Sequence, residues 1–508
     1  MVLAVTRIRT HLSVHGAPLA LLLILAFATY REVLTHSFLA TWDDPFYITE
    51  NPAIRGFSAE NIVSAFTTNY RGNYAPVQIL SYMLDHAVWG MQPFGFLLTN
   101  LLCHAVSGLL LYGLLLRQGF WKWGAFFGCA LFLVHPVQVE NVAWLSQRKN
   151  LLAMLFFLMS FHAWLCYRES TGRPAMAWYA VSLAAILISL LSKSVAVIFP
   201  LMLVMYDRLH RPEGENIRSH REKIPYLLAA LVVTGITIAF QSMESGGGRA
   251  EYPPAAVVVL PMTMLTVLAG YMRLLFWPAP EILSAIYDPP LRTAFDAEVA
   301  IGTGLAVILV LAGIGVYRLS KSACFWYALF FLGLLPVSQV VPLITIMNDR
   351  YLYFPMLGVA GLAAWTGGQL HNHLADAAAR RAAVAVSVAV VLALATASHL
   401  RGMVWKDAIT LFGDTVPKVE TRRQQWFMLA DGYRAAGDER TALLCDGQAM
   451  KPGPLDESDH ILLSRIYFDH GEPEKVGALA ARLVKHKRWR QVGLLMLEEY
   501  HARRGEGR

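Results

Sequence analysis

The chain has 508 residues, of which 56% are hydrophobic and 16% charged; ordinary soluble domains carry roughly 25% charged residues. One water-soluble core cannot hide that much apolar surface, so the composition excludes a single soluble domain and points to a lipid bilayer as the partner. The net charge of +7 fits Lys and Arg gathered in cytoplasmic loops and is not a nucleic-acid signal. Cys103, Cys129, Cys166, Cys324 and Cys445 form no CxxC and are odd in number, which argues against a disulfide framework or a zinc site.

Arg7 and Arg9 precede an apolar run from Ala17 to Tyr30 that extends to Leu34. Ala26-Phe27-Ala28 has the spacing of a signal-peptide cleavage site. Ten more hydrophobic segments follow, and a retained first helix is the simpler reading. At roughly 20 apolar residues per span, spans are predicted near 15–34, 93–116, 122–140, 150–167, 175–192, 194–209, 225–241, 297–317, 324–343, 351–370 and 382–399. The expected fold class is therefore all-α: a polytopic membrane domain of about 11 helices over residues 1–399, then a soluble helical tail over 400–508.

Short basic loops set the orientation. Arg7/Arg9, Arg117/Lys122, Arg168/Arg173, the 207–223 loop, Arg318/Lys321 and Arg380/Arg381 fall on one side in this count, which should be cytoplasmic. Residues 35–92, 141–149, 242–296 and 344–350, and the tail, then face outward. Residues 255–277 are apolar enough to cross, and a single crossing would invert every later loop. An interfacial or re-entrant helix pair broken at Pro261 keeps the basic loops together.

The tail repeats itself. Leu429/Leu463, Tyr433/Tyr467 and Gly437/Gly471 are each 34 residues apart, the tetratricopeptide period. Two such hairpins with flanking helices are expected, the alternative being a generic helical tail with a coincidental period.

Five clusters carry possible chemistry on the outward side. Asp43 and Asp44 follow Trp42 just past the first span. They are either solvated carboxylates or a general base with a partner that orients it or a divalent metal. No complete metal ligand set is visible, and no cofactor is certain. The second cluster, HPVQVENVAWLSQRKN, holds His135, Glu140, Arg148, Lys149 and Asn150; snorkelling is the bland reading for its cations. The others are Lys193; Asn348-Asp349-Arg350; and Arg273 with Tyr287 and Asp288. Polar groups at membrane depth are suspect as functional, and carboxylates with cations on one face suit transfer from an anionic, lipid-linked donor. There is no Walker A loop, GxGxxG before a strand, or HExxH, so nucleotide-driven transport and zinc proteolysis lose support.

TWDDPFYITENP, YAPVQILSYMLDHAVWGMQPFGFLLTNLLCHA, HPVQVENVAWLSQRKNLLA, LLSKS, NDRYLYFP and MVWKDAITLFGDTVP together resemble the GT-C membrane glycosyltransferases. More narrowly, they resemble bacterial forms of the transmembrane-and-tetratricopeptide O-mannosyltransferase-like proteins. The resemblance implies a polyprenyl-phosphate-linked sugar donor, an inverting displacement and transfer on the non-cytoplasmic face of the inner membrane. The acceptor would be a protein or a glycan, held by the repeats. By that likeness Asp43 is the base, with Asp44 the runner-up, and Glu140 occupies the acidic position of its motif. Arg148, Lys193, Arg350 and Arg273 are the phosphate-binding candidates; His135, Asp349, Tyr287 and Asp288 are further site candidates. Ser194 stands where the family has an acidic residue after Lys, and the repeat array is short. Two other readings compete: a scaffold that binds partners through its repeats, and a transporter of a lipid-linked sugar.

Overall fold

A computed structural model describes residues 2–503 apart from 71, 211–219, 243–255, 420–422, 452–462, 465, 469–470 and 486–489. The middle of the predicted 207–223 loop therefore lies outside the described residues. Helix dominates, and an isolated antiparallel bridge joins Tyr70 and Asn73. Eight helices among the described residues are long and apolar enough to cross a membrane.

Helix α1 (Val2–Tyr30) leads to a loop that carries Asp43, then to the short α2 (Ala59–Thr67) and α3 (Pro76–Trp89). The bundle continues with α4 (Pro93–Arg117), α5 (Lys122–Val134), α6 (Val139–Ala143), α7 (Arg148–Glu169), α8 (Gly172–Ser192), α9 (Phe199–Leu209) and α10 (Ile224–Ser242). It is completed by α11 (Ala256–Phe276), α12 (Ala297–Leu319), α13 (Lys321–Leu334), α14 (Pro355–His373) and α15 (Ala377–Val404).

Seven predicted spans fall on helices long and apolar enough to cross a membrane; of the other four, 351–370 is the 19-residue α14 and three are shorter or bent. The 122–140 span is α5 followed by Pro136–Ala143 at 53°. It breaks because Pro136 has no N–H for the helix ladder, and His135 caps the next turn instead. The 194–209 span is a 3-10 turn, Ser194–Ile198, running into α9. The 324–343 span stops as helix at Val337. Close packing fits these short elements into the bundle. Gly124 and Gly128 of α5 lie against the Ala364 and Ala360 carbonyls of α14, so closely that a Cβ would collide with backbone.

Two ends can be distinguished by contacts. At one end Arg117 pairs with Glu169, and Lys223 with Asp207. Trp121 stacks on His371 there, with ring centroids 4.1 Å apart. The opposite end gathers the loops after α1, α5 and α8 and the end of α10, where Asn69 bonds the Phe240 carbonyl at 2.8 Å, together with the first helices of the tail.

The break expected at Pro261 is absent: α11 is one helix, Ala256–Phe276, with Pro261 in its second turn. Its contacts nevertheless lie at the loop-rich end. Thr263 accepts from the Arg292 N–H at 2.9 Å, Gly270 meets Met347, and the Leu275 carbonyl accepts from His135 at 3.0 Å.

The tail comprises α16 (Ala408–Thr415), α17 (Arg423–Ala435), α18 (Glu439–Ala449), α19 (Pro473–Val484) and α20 (Arg490–Arg503). Gly437 and Gly471 are both left-handed, with φ of 82° and 71°, and each turns the chain just before α18 and α19. A side chain is strained in that conformation, which explains glycine at both points of the period.

Candidate functional site

At the loop-rich end a cavity of about 340 Å³ opens between the first loop, the α8 end and the loop before α14. Trp42, Asp43, Asn73, Trp144, Lys149, Lys193, Asn348 and Arg350 line it, and Gln424 of α17 reaches it from the tail.

The backbone at Trp42 has φ of 78°, rare for a bulky residue and worth about 1–3 kcal/mol of strain. Packing holds it there. The Trp42 indole stacks on Trp144 with centroids 4.1 Å apart, and Trp405 and Phe412 lie at 6.3 and 5.7 Å. The turn separates the two neighbouring carboxylates. Asp43 lines the cavity. Asp44 is buried, with Oδ2 accepting from the Leu39 N–H at 3.0 Å and Oδ1 from the Ser146 hydroxyl at 2.8 Å. Burial raises its carboxyl to about 6 against those two hydrogen bonds. Asp44 therefore braces the loop, and the pair does not converge on one metal position. Among the described residues no group of three or more His, Cys, Asp or Glu side chains stands ready to hold a metal.

Glu140 is buried beside the cavity rather than on it. Its Oε2 accepts from the Arg350 N–H at 2.7 Å and its Oε1 from the Arg350 guanidinium. The sequence assigned Glu140 a catalytic role; here both of its oxygens serve Arg350. The Arg350 guanidinium lies over the Trp144 ring, 5.6 Å from its centroid. The Glu140 charge keeps it firmly protonated against burial.

Arg148 departs furthest from expectation. It is fully buried and away from the cavity. Nε donates to Asn100 at 2.8 Å, Nη2 to the Phe96 carbonyl at 2.5 Å, and Nη1 to the Asp85 carboxylate. Tyr82 lies under the guanidinium at 4.5 Å. Its guanidinium is thus committed to buried protein partners and not to the cavity. Lys149 is the cation of that motif that reaches the cavity, between the Asn73 amide oxygen at 3.3 Å and the Tyr47 ring.

Lys193 caps the end of α8, where its backbone N–H still bonds the Ser189 carbonyl at 3.0 Å. Burial, with Lys149 and Arg350 nearby, pushes its ammonium well below the usual lysine range. Such a cation is poised for an anion that would compensate it. Ser194, at the position where an acid is expected, lines the cavity beside it.

The remaining candidates stand behind this surface. Asp349 is buried and accepts from the Tyr287 hydroxyl at 2.5 Å. Burial and the Glu140 charge lift its carboxyl to about 7. The two residues fix the turn that presents Arg350. His135 tethers α11 and caps the 136–138 turn, so its ring is structural. Arg273 and Asp288 are exposed and do not line the cavity. From the sequence, Lys149 stands evenly between snorkelling and function and outside the phosphate-binding set, and neither Asn73 nor the Trp42–Trp144–Trp405 stack is singled out. The left-handed Gly72 (φ 70°) in NYRGNYAP was an available signal for the turn that presents Asn73.

No protein-family model matches the chain. It is 28% identical to protein O-mannosyl-transferase Tmtc2 of Drosophila melanogaster over 299 residues, 54% of this chain and 31% of that protein. It is 35% identical to the human protein O-mannosyl-transferase TMTC2 over 109 residues, 21% of this chain and 13% of that one. A longer match, to Drosophila Tmtc3, covers 84% of this chain and 54% of the relative at 22% identity. The chain is similar to the protein O-mannosyl-transferases. It spans only part, about half or less, of each of these relatives. Looser likenesses among solved structures are the Archaeoglobus fulgidus oligosaccharyltransferase tethered with an acceptor peptide (13% identity, TM-score 0.42, 88% of this chain and 60% of that one) and ArnT from Cupriavidus metallidurans bound to undecaprenyl phosphate (14%, TM-score 0.36, 94% and 81%).

Proposed function

We propose that the chain is a membrane glycosyltransferase of the GT-C type that moves a sugar from a polyprenyl-phosphate donor to a hydroxyl of an acceptor protein. The observation that carries the reading is one cavity lined by a carboxylate, Asp43, and three cations, Lys149, Lys193 and Arg350. The similarity to protein O-mannosyl-transferases supports the same chemistry.

Asp43 takes the proton of the acceptor hydroxyl as its oxygen attacks the anomeric carbon. The bond from that carbon to the phosphate oxygen breaks on the opposite face, which inverts the configuration. Negative charge then grows on the departing lipid phosphate. Arg350 meets it with a planar fork and the two lysines with point charges. Asp44, Glu140 and Asp349 act through the residues that they hold. The Trp42–Trp144 stack offers an aromatic wall beside the base.

The basic end of the bundle is the cytoplasmic one by the positive-inside rule. The cavity and tail then face outward from a bacterial inner membrane, with α11 lying along that interface. Gln424 at the cavity rim supports a tail that presents the acceptor beside the donor. Reconstitution with radiolabelled polyprenyl-phosphate sugars and a panel of acceptor peptides tests the reading. Transfer that needs both Asp43 and the lipid-linked donor is expected; no transfer or donor hydrolysis with any sugar would sink it.

A further inference from the structure

A second, larger opening lies at the other end of the bundle. A groove of about 960 Å³ runs between α1, α5 and α15. Its walls are aliphatic and aromatic, including Ile24 of α1, Phe126 and Phe127 of α5, and Val384 and Val388 of α15. α15 is tied to α1 near its C-terminal end, where His399 bonds the Thr29 carbonyl at 3.2 Å. Toward the N-terminal end of α15 the groove opens between them, and Ile24, Val384 and Val388 on its walls are exposed.

One mouth of the groove is cationic. Arg380 and Arg381 line it, both exposed; each uses Nε on a backbone carbonyl, of Leu374 at 2.6 Å and of Ala377 at 3.4 Å, and keeps its terminal nitrogens out of any ion pair found among the described residues. Lys122 adds a third positive charge over the Trp123 ring, 5.2 Å from its centroid. The nearby Asp376 carboxylate is committed to capping α15 through the Ala378 and Ala379 N–H groups. From Arg380 to Leu392 the groove follows twelve residues of α15, about 18 Å at the rise of an α-helix. That matches the depth of one leaflet, half of a hydrocarbon core roughly 30 Å thick.

We propose that this groove is a binding site for an anionic phospholipid of the leaflet opposite the candidate active site. Its acyl chains fill the apolar walls and its phosphate meets Arg380 and Arg381. Basic pockets between spanning helices suit such headgroups. The site is distinct from the donor cavity, because Lys149, Lys193 and Arg350 gather at the other end of the bundle. A donor with its phosphate on those cations cannot also have it on Arg380.

Native mass spectrometry of the delipidated full chain, offered equal amounts of phosphatidylglycerol and phosphatidylcholine, tests this. The wild-type chain should retain phosphatidylglycerol at least about fivefold in preference. R380Q/R381Q, altered only at exposed side chains, should bring retention down to the phosphatidylcholine level. V388W, which fills the groove, should lower retention of both lipids. Equal retention of the two lipids by the wild-type chain overturns the proposal. So does a preference that survives R380Q/R381Q, unchanged retention by a folded V388W, or displacement of phosphatidylglycerol by a polyprenyl phosphate.

Discussion

Glu140 holds Arg350 by two of its donors at once, the backbone N–H at 2.7 Å and the guanidinium. The two residues are 210 apart in sequence and come from the α5–α7 connection and the loop before α14. The carboxylate thus fixes both the fold of that loop and the aim of its cation. Removing one partner of a buried ion pair typically costs about 3–5 kcal/mol. Glu140→Ala should lower thermal stability on that scale and weaken phosphate binding. Arg350→Lys should retain most stability yet lose affinity for a polyprenyl phosphate, because an ammonium cannot copy the fork. Thermal unfolding and lipid-phosphate binding separate the two effects; unchanged binding in both variants contradicts the assignment.

Adjacent carboxylates should behave differently. Asp43→Asn should cut transfer by about 10²–10⁴, the range for a general base, while the protein still folds and binds donor. Asp44→Asn should act first on stability, by about 1–3 kcal/mol, since it disturbs buried hydrogen bonds to Leu39 and Ser146. Turnover and melting temperature measured on both variants check this. A stable, inactive Asp44→Asn beside an active Asp43→Asn reverses the roles.

Arg148 should be a stability residue. Arg148→Met leaves Asp85 buried and unpaired, and its loss should be several kcal/mol. Asp85→Asn in the same chain should recover part of that, because the stranded charge is gone. A double-mutant cycle by chemical unfolding measures the coupling. Additive effects would show that the two side chains do not act as a pair.

These contrasts also mark what the sequence could disclose. The hydrophobic runs located most spans, because span length is set by the bilayer and not by partners. Asp43, Lys193 and Arg350 stood out for the same reason, as charges beside apolar runs. The choice between Arg148 and Lys149 was hidden. Successive residues on a helix point about 100° apart, and which one faces a cavity depends on Asp85 of α3, 63 residues away. Asp43 and Asp44 were likewise separated by the backbone turn at Trp42, which no sequence pattern announces. Pro261 misled in the opposite direction: near the start of a helix it removes a single hydrogen bond, and α11 continues through it.

Asp349 should make stability depend on pH in an unusual direction. Its carboxyl is raised to about 7 by burial and by Glu140, above an unfolded value of about 3.9. Between those values the folded state holds the extra proton, so this contribution falls as pH rises from about 4 to about 7 and then levels off. Asp349→Asn should remove that slope. Melting temperatures of both proteins at several pH values give the comparison; parallel curves would contradict the assignment.

Lys193 should tie phosphate binding to protons. In the free site its ammonium is pushed well below the ordinary lysine range by burial and by Lys149 and Arg350. A bound phosphate brings compensating negative charge and raises it again. Between the free and bound values, binding takes up a proton, so affinity should fall as pH rises, by up to about tenfold per unit for one proton. Lys193→Arg keeps a positive charge throughout and should flatten that dependence. Calorimetric titration with a short-chain polyprenyl phosphate, in two buffers of different ionisation enthalpy, counts the protons directly. The wild-type chain should take up more protons in that window than Lys193→Arg, in which Lys149 is the lysine left in the cavity. Equal proton counts for the two proteins would remove Lys193 from the phosphate site.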